Sequence, residues 1–177
     1  MASTFSNILL HYIFAPKHRE NRLRDDFRDE LHRYIHGILN NTKNKQLAIG
    51  SVEDHMHLFV SMHPTESPAN LIKLVKGNSS RFINEKGFVK RPFEWQEGYG
   101  VFSHSASEKE RVMFYVEHQK EHHAKQPFRV EFIGILGKVG IIYNEKYLFD
   151  WMKDVDAGLV ISSLRDSERV LRPSSGD

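Results

Sequence analysis

The stretch His55-Met56-His57 opens a strongly apolar run, HMHLFV. On an extended strand, residues two apart point to the same side. The two imidazoles would therefore sit side by side while Met56 turns into the core. Neutral imidazole is a common metal ligand, and a half-buried strand is an unfavourable place for two histidines without partners. The pair is a candidate metal site. A His-x-His pattern is weakly specific by itself, and with eleven histidines in the chain, scattered surface positions explain most of the others.

Tyr115 and Gln119 form a second candidate pair. Four residues apart on an expected helix, they share a face beside Val112 and Val116, on the side turned to the protein. A phenol can act as a nucleophile that forms a covalent intermediate, and an amide oxygen can complete a metal site. A half-buried tyrosine with a hydrogen-bonding neighbour would explain the same spacing. His118 and His122 also stand at the i, i+4 spacing of zinc helices. They fall on a more exposed face, however, and no third ligand is spaced to match.

Basic residues are candidates for phosphate contacts through charge and bidentate hydrogen bonds. Lys17, Arg19, Arg22 and Arg24 cluster after the first expected strand. Lys73, Lys76 and Arg81 lie on the second expected helix with Ser79 and Ser80. For any one of them, an ordinary soluble surface is the plainer explanation.

The elements that must position these residues follow from hydrophobic periodicity. Ile8 to Ala15 reads as a strand ended by Pro16. An amphipathic helix follows, with Leu23, Phe27, Leu31, Tyr34, Ile35, Ile38 and Leu39 inside and Asn40-Asn41 at its end. Gln46 to Val52 and His55 to Met62 read as two strands joined tightly at Asp54. Ser67-Pro68 is a helix start. Leu71, Leu74, Val75, Phe82 and Ile83 form that helix's inner stripe, and Gly87 ends it. FEWQEGYGVFSHS reads as two short strands around Glu97-Gly98. Ser107 and Glu110 have capping-box spacing for a helix through about His123. Pro127 opens a last helix with Phe128, Phe132, Ile135, Leu136 and Val139 inside, ended by Gly140.

The order β-α-β-β-α-β-β-α-α implies an α+β fold: a ferredoxin-like antiparallel sheet with helices packed on it. Residues 1–150 read as one domain. Residues 151–177 read as a polar, partly disordered C-terminal extension, since periodicity fades after Trp151 and the run LRDSERVLRPSSGD offers little to bury.

Composition narrows the chemistry. With no cysteine, disulfides, thiolate zinc sites and iron–sulfur clusters are excluded. The start MASTFSNILLHYIFAPKHRE lacks a basic leader and reads as no signal peptide. No run of about 18 apolar residues exists to span a membrane, so a cytoplasmic protein is expected. The net charge of +2 means that any nucleic-acid surface must be locally rather than globally basic.

The stretches YIFAPKHRENRL, SVEDHMHLFVS, LVKGNSSRF, FEWQEGYGVFS, YVEHQKEHH and YNEKYLFD together resemble the small tyrosine transposases of the insertion-sequence-200 type (IS200/IS605). These belong to the HUH endonuclease group, whose domain is RRM-like. The match spans most of residues 8 to 150. The ordered set His-x-His, WQ-x-GYG and Tyr-x-x-x-Gln is its specific part. The resemblance implies that His55, His57 and Gln119 bind one divalent ion, Mg2+ or Mn2+, and that Tyr115 is the catalytic nucleophile. It implies cleavage and rejoining of single-stranded DNA at hairpin-bearing element ends through a 5′-phosphotyrosine. It also implies a homodimer with active sites shared between subunits. Two imidazoles suit zinc, nickel or copper better than magnesium, which prefers oxygen, so an amide oxygen, phosphate oxygens and water would have to complete a magnesium shell.

Three alternatives stay open on the residues: a relaxase or replication initiator of the HUH group, a non-catalytic or domesticated hairpin-DNA-binding protein of the same fold, and a small zinc hydrolase, which would have no need of Tyr115.

Overall fold

In the computed structural model, residues 5–17, 23–124, 126–144 and 148 are described. The chain divides into two compact units, Met1–Phe128 and Arg129–Asp177. The first contains β1 (Leu9–Phe14), α1 (Asp25–Asn41), β2 (Lys45–Ser51), β3 (Met56–Ser61), α2 (Pro68–Glu85), β4 (Gly100–His104), α3 (Lys109–Glu117) and α4 (Gln119–His123). A further helix, α5 (Phe128–Lys138), begins at its last residue. The expected C-terminal extension, 151–177, lies outside the described residues, as do Arg19 and Arg22.

The strands form one sheet in the order β2-β3-β1-β4, with every neighbouring pair antiparallel. This is the ferredoxin-like α+β arrangement, with helices crossing between strands that are not neighbours. The registers Ile13↔His57, His11↔Phe59 and Gly50↔His57 align the two faces. Opposed residues share a side, and alternate residues share a side along each strand.

One face carries Leu10, Tyr12, Phe14, Met56, Leu58 and Val60, which pack with Phe27, Leu31 and Ile35 of α1 and Leu71, Val75 and Ile83 of α2. The other carries Leu9, Ala48 and Phe59, covered by Val112 and Val116 of α3. Strands β1 and β3 are therefore buried on both sides. That is why they read as continuous apolar runs instead of alternating ones. Each fully buried aliphatic or aromatic side chain contributes roughly 1.5–3 kcal/mol of transfer free energy.

Several local expectations need correction. FEWQEGYGVFSHS contains one strand, β4; its first half makes only an isolated bridge between Trp95 and Pro16. Proline has no N–H to continue a ladder, and side chains hold the segment instead. Asn84 bonds both backbone groups of Phe93 at 2.6 and 3.0 Å, and the Trp95 indole donates to Ser79 Oγ at 2.9 Å.

The capping box is Ser105 with Glu108, not Ser107 with Glu110, and it opens a 3-10 turn, Ala106–Glu108, ahead of α3. Both pairs have the same spacing, so spacing alone could not choose between them. The expected helix through His123 is broken at His118, with φ −101° and ψ 30°. On α2, Leu74 is exposed and Ile72 buried in its place. Val139 lies beyond the end of α5 and is exposed; Gly140 there has φ +68°, a conformation that suits glycine at a helix C-terminus.

Candidate active site

His57 lies on β3 and His55 immediately before it, both on the sheet face that α3 covers. Met56 between them is buried in the opposite core. The two rings are fully buried, with centroids 4.8 Å apart, and one nitrogen of each lies within 4.8 Å of the other's. Each ring has its Nδ1 engaged. His55 Nδ1 bonds Asp54 Oδ1 at 2.7 Å, and His57 Nδ1 meets His11 Nε2 at 2.8 Å. Nε2 is thus the nitrogen each ring can offer to a ligand. The His55 ring also stacks on Phe128, centroids 3.9 Å apart and planes within 5°.

Electrostatics keep this cluster neutral. Burial lowers the pKa of His57 well below the ordinary value, and the neighbouring imidazoles add to the shift. Burial also lowers His55, although its bond to Asp54 opposes the shift. His11 falls to about 3 and His123 to about 4, burial again being the main cause. Burial would raise the Asp54 carboxyl, but its hydrogen bond and charge interaction with His55 outweigh this, and its pKa is lowered. An ionised carboxylate can only accept. The His55 proton therefore sits on Nδ1, which is the tautomer that leaves Nε2 as a ligand nitrogen.

Helix α3 brings Tyr115 over the pair. The phenol ring is half-buried and stands edge-on to His57, centroids 5.6 Å apart, and edge-on to His122 at 5.3 Å. Close approach of α3 to the sheet depends on Gly50 of β2, which pairs with His57 of β3. A Cβ at Gly50 would run into the Val116 carbonyl oxygen.

Gln119 lies beyond the helix break, not on one continuous helix with Tyr115. The break is closed by side chains. Gln119 Nε2 donates to the Tyr115 carbonyl at 3.0 Å, and His118 Nδ1 bonds the Phe114 carbonyl at 2.7 Å. The first bond satisfies a carbonyl at the end of α3; the second adds to the bond that the His118 backbone N–H already makes to the Phe114 carbonyl at 3.1 Å. Gln119 is almost wholly buried. Its side chain lies close enough to His55 to favour the charged imidazole. Its Oε1 is buried with no hydrogen bond of ordinary geometry among the described residues.

Two neutral imidazoles and one buried amide oxygen are a chemically sound donor set for a divalent transition ion, with oxygen from substrate and water completing it. The residues present therefore fit a metal. Sequence reasoning missed the partners of this set: His11, which only interrupts an apolar run, and Asp54, which read as part of a turn. It also missed His123, whose ring lies 4.3 Å from that of His55. Asp54, His55 and His123 offer three ligand atoms all within 4.8 Å of one another. Their only signal was the neighbouring SVEDHMH and EHH strings. His118 stacks on the exposed Phe114 at 3.9 Å, away from the pair, while His122 lies beside Tyr115.

The basic candidates divide. Lys17 is paired with Glu94 at 2.7 Å. Lys76 donates to the Gln96 carbonyl, and to those of Glu97 and Gly98 at 2.9 and 3.2 Å; burial lowers its pKa to about 8. Arg81 is exposed and bonds Asn78 at 3.1 Å, and Lys73 is exposed. All three α2 residues belong to the helix packed on the sheet face opposite the histidine pair.

An antiparallel ferredoxin-like sheet, with paired histidines on one face and a tyrosine-bearing helix above them, defines the class of fold and site. The sequence pattern of the family described as "Transposase IS200 like" matches residues 4–119, and the chain belongs to that family. It is 29% identical over 130 residues to the transposase for insertion sequence element IS200 of Salmonella typhimurium, covering 68% of this chain and 82% of that one. The Salmonella typhi transposase for the same element matches equally.

Among solved structures, a transposase candidate of Deinococcus radiodurans R1 superposes with a TM-score of 0.55 at 23% identity, over 67% of this chain and 95% of that one. A REP-associated tyrosine transposase bound to a REP hairpin gives 0.53 at 11% identity, over 70% and 72%. These two share the fold. No helix among the described residues is long and apolar enough to cross a membrane.

Proposed function

We propose that this transposase cleaves and rejoins single-stranded DNA at hairpin-bearing ends, with Tyr115 as the nucleophile and His55, His57 and Gln119 as ligands of one divalent ion, Mg2+ or Mn2+. The observation that carries the reading is the placement of the Tyr115 ring edge-on to His57, 5.6 Å away, on the buried face that also holds His55 and Gln119. A bound divalent ion there would polarise a phosphate oxygen and orient the scissile bond.

The chain's own residues supply the rest. Asp54 orients the His55 imidazole through its bond to Nδ1. Gln119 is held by its bond to the Tyr115 carbonyl, so a ligand and the nucleophile are positioned by one contact. The Tyr115 oxygen attacks phosphorus and loses its proton, the P–O3′ bond breaks, and the 3′-oxygen leaves as a hydroxyl. The product is a 5′-phosphotyrosine. A second DNA end with a free 3′-hydroxyl can reverse the step and be joined without a nucleotide cofactor.

A structural neighbour is bound to a REP hairpin, and a folded hairpin beside an unpaired segment suits recognition by backbone contacts and base stacking. Exposed Lys73 and Arg81, with Arg19 and Arg22, remain the proposed phosphate contacts. Lys17 and Lys76 would first have to leave the partners they hold. The family resemblance implies a homodimer with shared sites. Within one chain, however, Tyr115 already reaches its own His57, which favours a site completed in cis.

The test is incubation of labelled hairpin-bearing single strands with the protein and manganese. Wild type should give a covalent protein–DNA adduct on a denaturing gel. Tyr115→Phe, which keeps the ring but lacks the attacking oxygen, should bind the DNA and give none. An undiminished adduct in that variant, or an adduct mapped to another tyrosine, would overturn the assignment.

A further inference from the structure

No step of the chemistry above uses the His11 ring, yet it is buried against the metal site. His11 lies on β1 opposite Phe59, and Ile13 lies opposite His57. The two histidines are therefore diagonal neighbours on one face of paired strands, within reach of each other's side chains. Their rings stack, centroids 5.0 Å apart and planes 28° apart, with His11 Nε2 and His57 Nδ1 at 2.8 Å. Both rings are buried.

A neutral imidazole has one N–H and one lone pair, so this bond has two possible directions. If His11 Nε2–H donates to His57 Nδ1, the His57 proton must sit on Nε2, and that nitrogen is closed to a metal. If His57 Nδ1–H donates to His11 Nε2, the His57 Nε2 keeps its lone pair. Asp54 enforces the second arrangement on His55, because a carboxylate can only accept. On His57 the same task falls to a neutral ring.

We infer that His11 is a positioning residue for the metal site: by accepting the Nδ1 proton of His57, it holds His57 in the tautomer whose Nε2 lone pair serves a divalent cation. The inference rests on the metal reading given above. Partners at the outer nitrogen of a ligating histidine fix its tautomer and orientation, and their loss typically weakens metal binding about 10- to 100-fold. His11→Phe keeps a ring of similar shape but has no acceptor, so it leaves the His57 Nδ1–H unbonded in a dry site and favours the wrong tautomer. His11→Gln restores an acceptor through its amide oxygen.

Two measurements test this. In metal-free wild type, nitrogen-15 NMR of the labelled imidazoles should place the His57 proton on Nδ1; a proton on Nε2 overturns the inference, and this reading needs no variant to fold. By calorimetry with manganese, His11→Phe should bind about 10- to 100-fold more weakly than wild type, and His11→Gln should recover most of that loss. Unchanged affinity in His11→Phe overturns the inference. So does a folded His11→Gln, verified by circular dichroism, that binds no better than a folded His11→Phe. A wild type that binds no manganese overturns the metal site itself, an outcome the metal-free spectrum keeps separate from the tautomer.

Discussion

Tyr115 and His57 of the same chain lie edge to face, ring centroids 5.6 Å apart. The contact joins an element from the middle of the sheet to a helix more than fifty residues later in sequence. It rests on a strand register, a glycine and a side-chain-closed helix break, and each of these can be perturbed separately.

Replacing His57 with Ala should remove divalent-metal binding and DNA cleavage together. The variant also opens a cavity and leaves His11 without its buried partner, so a stability loss of about 1–3 kcal/mol is expected. The fold should survive, since the main core lies on the other face of the sheet. Manganese affinity equal to wild type by calorimetry would remove His57 from the ligand set.

Mixing His57→Ala and Tyr115→Phe subunits distinguishes a site built in one chain from a site shared between two. With Tyr115 serving its own His57, the mixture should form no more adduct than either variant alone. Recovery of a substantial fraction of wild-type cleavage would mean that the tyrosine of one subunit serves the histidines of the other.

Gly50 carries no chemistry, yet Gly50→Ala should impair cleavage. Its Cβ would meet the Val116 carbonyl oxygen, one residue from Tyr115, so α3 must move off the sheet. Overpacking of this kind costs about 1–3 kcal/mol. The expected result is a lower denaturation midpoint with a cleavage rate reduced beyond what unfolding explains. A variant as active and as stable as wild type would show that the helix gives way easily.

The chelator-treated protein should lose stability as pH falls below about 6.5. Burial holds His11 near 3 and His32 and His123 near 4, and lowers His55 and His57 as well. Between those values and the ordinary histidine pKa, the unfolded chain binds protons that the folded chain does not. Stability therefore rises with pH across this window and is progressively lost on acidification, levelling once the folded groups also titrate. A total loss on the order of a few kcal/mol is expected. Urea midpoints that stay flat from pH 7 to 4 would contradict it.

Sequence alone carried the fold class and most of the element boundaries. Apolar periodicity and the Pro68 and Gly87 punctuation depend only on neighbours in the chain. The same holds for the i, i+2 geometry of His55 and His57, because strand alternation puts both on one side whatever the sheet does. Local pattern failed where a choice depended on a distant partner. Ser105 and Ser107 offered the same capping spacing, and FEWQEG became a side-chain-held loop because Asn84, Ser79 and Lys76 of α2 bond to it.

Tertiary structure decided what surrounds the histidine pair. That His11 meets His57 follows from β1 pairing with β3, a contact 46 residues apart in sequence. That Tyr115 stands over them follows from α3 packing on the face opposite α1 and α2. Strand order and helix side are settled by the joint burial of many apolar groups, and no local window contains that information. A buried imidazole also has two nitrogens to satisfy, so its tautomer is set by whichever partners the folded chain brings to it.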